Sequence, residues 1–289
     1  VRGANKSLVP NSTAGEATHT DHLTSFNSNG FSIGASADIN WDNTTFGSIW
    51  CSWTFRKQPG FFDIQTYTGS GENGQIINHD LNAVPGMVFV KHTSSNGSKW
   101  YVFHQSLDSG KHLKLNTNSA ESSDSNYEIG KTTCTSTQFS IDTGSEIDAS
   151  GQTYIAYFFA HNDQRFGTDA DEAIIKCGSY TTDGSGNATI DLGFEPQFIF
   201  AKRADGTGDW FINDTMRGIV TDGNDPYLVP NSSAAENSSY DYYDLTPTGF
   251  KHEGGFTSST YIYMAIRRPH KPASEFAATD LFDLQYGTA

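Results

Sequence analysis

Four things are scarce in this chain of 289 residues, and each scarcity narrows its role. Cysteine occurs three times, at Cys51, Cys134 and Cys177. An odd count without zinc-type spacing excludes a disulfide framework as the basis of the fold. Buried free thiols are the expected state, and one disulfide plus a free thiol is the alternative. Basic residues number 18 against 33 acidic ones, for a net charge of −15. Without clustered Lys and Arg, phosphate contacts have no source, so nucleic acid is not an expected partner. Long apolar runs are absent, so no membrane span is expected. Catalytic signatures are missing as well. There is no Gly-x-Ser-x-Gly elbow and no phosphate-cradling loop, and no carboxylate pair recurs at matched positions. The chain is therefore not expected to be an enzyme.

What the chain does have is repetition. Leu8-Val9-Pro10-Asn11-Ser12 returns as Leu228-Val229-Pro230-Asn231-Ser232, with a looser version at Leu113-Lys114-Leu115-Asn116-Thr117. A Gly-Phe step follows in the outer two (Gly30-Phe31, Gly249-Phe250), then an aromatic strand and a basic stop (Arg56-Lys57, Arg267-Arg268). Two further matches lie between. Pro85 to Lys91 and Pro196 to Lys202 are apolar runs with proline and lysine six apart, and each precedes a tryptophan strand, Trp100 to Phe103 and Trp210 to Asn213. The prolines are 111 residues apart (196 − 85), about the size of a small domain.

Short runs rich in Val, Ile, Phe, Tyr and Thr alternate with Gly/Asn/Asp/Ser clusters, and no long window shows a helical apolar period. The expected fold class is all-β, as tandem antiparallel β-sandwich (jelly-roll-like) modules. Tyr154 to Ala160 and Tyr261 to Ile266 are apolar on both faces, as central strands would be. Pro85 and Pro196 suit strand starts. The best helical candidate is the short stretch Thr168 to Ala173, where a turn fits equally well.

The repeat sets the expected layout. Residues 1–60 read as the second half of a unit, either truncated or completed in trans. Residues 61–166 and 167–272 read as two full units, and 273–289 as a linker with the start of a further unit or an exchanged strand. Phe282-Asp283-Leu284-Gln285 echoes Phe62-Asp63-Ile64-Gln65. Each unit is expected to close its own core, joined by stiff segments at Lys57-Gln58-Pro59-Gly60 and Pro269-His270-Lys271-Pro272.

Taken in order, these motifs resemble a tandem domain of large structural proteins of tailed bacteriophages, especially phages of aquatic bacteria. The motifs that carry the likeness are the Tyr-Thr-Gly opening at Tyr67, the Pro-to-Lys strand, the tryptophan strand and Met216-Arg217-Gly218. Tyr154-Ile155-Ala156-Tyr157-Phe158-Phe159-Ala160-His161 and Met264-Ala265-Ile266-Arg267-Arg268-Pro269 complete it. The likeness covers residues 62–272 and part of 1–59. It implies a virion or tail-fibre protein, extracellular, assembling into an oligomer or filament with itself and other virion proteins. The first copy departs at Phe103-His104-Gln105-Ser106-Leu107, where the second has Asn213-Asp214-Thr215-Met216-Arg217.

The residues themselves leave two other readings open. Aromatics in polar segments can stack on sugar faces, which makes Trp41, Tyr240, Tyr242 and Tyr243 candidates for a host-surface glycan or for a protein interface. Trp100 and Trp210, flanked by apolar residues, read as core. A polysaccharide depolymerase is the remaining alternative. No cofactor is expected. Ca²⁺ is the one cation considered, at Asp183-Gly184-Ser185-Gly186-Asn187, Asp205-Gly206-Thr207-Gly208-Asp209 and Asp222-Gly223-Asn224-Asp225, although Asp-Gly is also an ordinary hairpin turn. His19 and His22 have a metal-like spacing but sit in a polar loop.

Overall fold

The structure is a computed structural model that describes residues 3–40, 50–124, 127–167 and 169–269. It is nearly all β, built from antiparallel sheets. The first stretch contributes β1 (Lys6–Ser7), β2 (Ala17–Thr18), β3 (Leu23–Asn27), β4 (Gly30–Ile33) and the single-turn helix α1 (Ala37–Asn40). The second contributes β5 (Phe62–Thr68), β6 (Gln75–Asn78), β7 (Pro85–His92), β8 (Trp100–His104), β9 (Lys111–Lys114) and β10 (Ser122–Ser123). It continues with β11 (Ile129–Cys134), β12 (Gln138–Ile141), α2 (Ser145–Asp148) and β13 (Thr153–Ala160). The third holds β14 (Ile175–Thr181), β15 (Ala188–Asp191), β16 (Pro196–Arg203), β17 (Trp210–Asp214), β18 (Tyr243–Thr246), β19 (Gly249–His252) and β20 (Thr260–Arg267).

One pairing scheme occurs in both longer stretches. The large sheet runs β10-β9-β8-β7-β13-β5 in one and β17-β16-β20-β14 in the other. The small sheet opposite runs β11-β12-β6 and β18-β19-β15. Register agrees as well: Phe89 faces Tyr157 and Phe200 faces Met264, while Phe139 faces Ile77 and Phe250 faces Ile190. Both prolines open their strands beside a register shift, where a missing N–H leaves no gap in the ladder. The Gly-Phe step has a steric reason at Gly249, where a Cβ would lie 1.9 Å from the Ile190 carbonyl oxygen.

The cores are not separate, which corrects the expectation that each unit closes its own. On β16, Ile199 and Ala201 join Tyr243, Phe250 and Leu192 in one cluster, under the small sheet. Phe198 and Phe200, on the opposite face, join Val88, Phe89, Phe158 and Trp100 of the preceding stretch in another. Alternation along a strand sends successive side chains to opposite faces, so a strand apolar on both faces needs cover on both. The second cover comes from the neighbouring unit. Phe55 of the first stretch lies 5.4 Å from Phe159 and 6.2 Å from Phe198, ring centre to ring centre, so all three stretches meet.

Other local expectations change too. Lys57–Gly60 is no free linker: Gly60 N–H donates to Leu81 O at 2.7 Å, and Lys57 Nζ sits between Asp63 and Asp80. Around Thr168 to Ala173 there is no helix among the described residues; Phe166 and Glu172 exchange two backbone hydrogen bonds instead. All three cysteines are free, with Cys177 buried, Cys134 half-buried and Cys51 exposed. Cys51 thus departs from the expected buried state. Residues 270–289, including the second proline linker beyond Pro269 and the 273–289 segment, lie outside the described residues.

Candidate functional site

Two of the three versions of the repeated phrase, Leu8-Val9-Pro10-Asn11-Ser12 and Leu113-Lys114-Leu115-Asn116-Thr117, lie at junctions between successive stretches. The Trp100 indole N–H donates to the carbonyl of Val9 at 3.1 Å, and the Trp210 indole N–H donates to the carbonyl of Lys114 at 3.0 Å. Val9 and Lys114 hold matching places in the phrase. The lysine six residues after each proline repeats the pattern. Lys91 Nζ donates to Thr13 O (3.2 Å), and Lys202 Nζ donates to Asn118 O (3.4 Å), again matched positions. Backbone bonds complete it: Gly97 N–H to Thr13 O and Gly208 N–H to Asn118 O, both 2.9 Å, and Glu16 N–H to Thr93 O and Glu121 N–H to Ala204 O, both 2.8 Å.

The asparagine of the phrase serves its own stretch. Asn116 Oδ1 accepts from the Trp100 amide and Asn231 Oδ1 from the Trp210 amide. One short segment therefore anchors its own tryptophan strand by a side chain and the next one by carbonyls. The segment is held in a small hairpin, where Lys6 pairs with Thr18 and Lys111 with Ser123 across the strands. Lys6–Glu16 and Lys111–Glu121 ion pairs brace the same hairpins.

A sequence profile for the domain described as Domain of unknown function (DUF7483) matches residues 1–269. The chain belongs to the DUF7483 family. The matched domain takes in all three stretches. No curated protein and no solved structure matches the chain.

Both junction lysines of this DUF7483 chain are fully buried, and burial pushes each ammonium down to about 8. A buried ammonium is costly unless its protons are placed. Lys91 also donates to Ser98 O (2.5 Å) and Lys202 to Arg203 O (2.6 Å), so each binds one carbonyl from its own stretch and one from the preceding one. The Pro-to-Lys spacing and the recurring tryptophans are visible in the sequence, whereas their partners one unit back are backbone carbonyls and leave no mark there.

The departure between copies falls on a second inter-unit contact. In the second stretch, His104 Nε2 meets Tyr263 O at 3.1 Å, and Gln105 Nε2 donates to Cys177 O at 2.7 Å. At the matching place in the third, Asp214 accepts from the Trp53 indole N–H at 3.2 Å and pairs with Arg217 at 2.7 Å, whose guanidinium lies over Trp53. Each copy carries the residues its own neighbour requires. Burial lowers His104 to about 4, so it is neutral at pH 7.

The residues singled out as ligand aromatics scatter. Trp41 lies outside the described residues. Tyr243 is 1% exposed and packs its ring against Phe250 and His252, at the inner wall of a hollow that Tyr242 also lines. Tyr242 is half-buried, and Tyr240 is 54% exposed with its ring stacked 5.5 Å from that of Tyr242. Trp100 and Trp210 are buried.

The acidic turns spend their oxygens on backbone amides and, at Asp205, on the Arg203 guanidinium as well. Asp183 accepts from Ser185 and Asn187, Asp205 from Thr260 N–H and Arg203, and Asp225 from Val220, Tyr242 and Tyr243. Among the described residues, His19, Asp21 and His22 bring ligand atoms within 4.8 Å of one another. The two imidazoles stack in parallel, 3.8 Å apart, so their in-plane lone pairs do not converge on one ion. No described helix is long and apolar enough to cross a membrane.

Proposed function

We propose that this DUF7483 chain is a structural component of a bacteriophage virion appendage, extracellular, that works by assembly of β units and not by chemistry. The observation that carries the reading is the twice-used junction, in which a buried tryptophan and a buried lysine of one unit bind carbonyls of the unit before it. Such a junction fixes the placement of each unit on the last. The likeness of the motif order to phage structural proteins supplies the particle. Other copies of the same unit and other virion proteins are its partners. Antibody labelling of purified phage particles, viewed by electron microscopy, tests the reading: label along an appendage is expected, and particles without label overturn it. Release of oligosaccharide from host capsule by the protein would move it to the depolymerase reading.

A second reading, binding of a host-surface glycan, is favoured by one feature. Exposed Tyr240 stacks on Tyr242, which with Phe211, Tyr243, Phe256 and Tyr261 walls a hollow of about 230 Å³. Rings with polar tips suit sugar faces. A glycan array with a Tyr240→Ala control separates the readings, since the structural role needs no glycan bound.

A further inference from the structure

Two surfaces that are covered in the repeated units stand open in this chain. The third version of the phrase, residues 228–236, matches 8–16 and 113–121. Val229 stands where Val9 and Lys114 receive a tryptophan, and Ser233 where Thr13 and Asn118 receive a lysine. Ser232 to Glu236 are exposed, and among the described residues the Glu236 amide has no bond like those of Glu16 and Glu121.

The β3–β4 hairpin is the other open surface. Phe31 matches Phe139 and Phe250, which are both 0% exposed, yet Phe31 is 38% exposed and Phe26 beside it is 64% exposed. The covered versions pair with a third strand, β6 or β15, whereas among the described residues β3 and β4 pair only with each other.

The segment between these surfaces is incomplete in a matching way. Residues 50–56 match the central strands β13 and β20, which are flanked on both sides, but they form no strand. A hollow of about 290 Å³ lies against them, lined by Cys51, Trp53, Phe55, Phe198 and Asp214. The strands that would cover all three places belong to a single element. In the complete units, the opening strand, the short second strand, the Pro-to-Lys strand and the tryptophan strand are consecutive (β5–β8, β14–β17).

We infer that residues 50–56, the β3–β4 hairpin and residues 228–236 together form a receptor for the first half of one further unit of the same kind. Its tryptophan indole donates to Val229 O and its lysine to Ser233 O. Its short second strand pairs with β4, and its outer strands flank residues 50–56. The inference rests on the modular part of the reading above, not on the virion.

The chain's own first halves are poor occupants, because each is already engaged. Gly15 adds a steric reason. A Cβ there would lie 2.9 Å from the carbonyl oxygens of Thr93 and Ser95, while the third segment carries Ala235 at that place. Ala120 stands there in the second junction. The third segment is therefore matched to a Trp210-type partner and not to the Trp100 site of another copy.

The test extends the full chain at its C-terminus with a second copy of residues 161–215 and follows amide hydrogen exchange. A control extension carries Trp210→Ala and Lys202→Met in the added copy only. Exchange at Glu236 should slow at least about tenfold in the first and not in the control, with Glu121 protected in both. Unchanged Glu236 exchange overturns the inference, whether the extended chain is soluble or aggregated. Protection of Glu236 in the unextended chain, with dimers by light scattering, overturns it in favour of self-association. Neither failure bears on the presence of the protein in particles, which labelling decides separately.

Discussion

Phe31 and Phe250 stand at the same place in two versions of one hairpin, and their surroundings could hardly differ more. Phe250 is fully buried against Tyr243 and Tyr263, whereas Phe31 is 38% exposed. The local sequence is alike, Asn29-Gly30-Phe31 against Thr248-Gly249-Phe250, and so is the strand pairing, Phe26 with Phe31 and Leu245 with Phe250. The hairpin is thus set locally, while its burial depends on strands that precede it by some 60 residues in the complete unit. A local motif can form without the partner for which its apolar face is shaped.

The sharpest way to break this comparison is truncation at matched positions. Phe139→Ala and Phe250→Ala should each cost about 3–5 kcal/mol, and Phe31→Ala less than about 1 kcal/mol, by urea unfolding. Equal losses would mean that the first hairpin is buried in solution after all.

pH gives the next comparison, between the two junction lysines. Their folded values near 8 lie below the ordinary 10.5. Between those limits the unfolded chain holds more protons, so stability rises as pH goes up from about 8. The rise ends near pH 10, where buried tyrosines such as Tyr101 and Tyr263, pushed up by burial, begin to act the other way. Lys202→Met should remove about half of the rise if the junctions are alike. Below neutrality, buried His104, His112 and His252, all near 4, withdraw stability as pH falls from about 6.5 to 4.

Smaller effects sharpen the likeness of the junctions. Trp100→Phe and Trp210→Phe keep a ring but lose the indole bond to the preceding stretch, so each should cost about 1–2 kcal/mol by thermal unfolding. A clear difference would show that one junction leans more on its tryptophan. Tyr240→Ala, at an exposed ring, should change stability by no more than about 0.5 kcal/mol, while abolishing any glycan signal.

Much of the fold was legible. Short runs rich in Val, Ile, Phe, Tyr and Thr between turn clusters marked the strands, Pro85 and Pro196 marked strand starts, and the matched phrases marked where the scheme repeats. The shared core was not legible, because a strand apolar on both faces reads the same whether its second cover comes from its own unit or the next. Leu-Val-Pro-Asn-Ser forms a turn, closed by Ser12 N–H to Val9 O and Ser232 N–H to Val229 O, but its role at the junction was not legible. Its function lies in the carbonyls of Val9 and Lys114, which carry no side-chain signature. Tyr243 is buried although its sequence neighbours are polar, because the adjacent Asp244 is itself drawn inward, accepting from the Asp222 amide and pairing with Lys251.

Amide hydrogen exchange on the unmodified chain, resolved at Glu16, Glu121 and Glu236, tests the account most directly. Glu16 and Glu121 should exchange slowly and Glu236 fast, because only the first two donate across a junction. Fast exchange at Glu16 and Glu121, or equal protection at all three in a monomer, would contradict it.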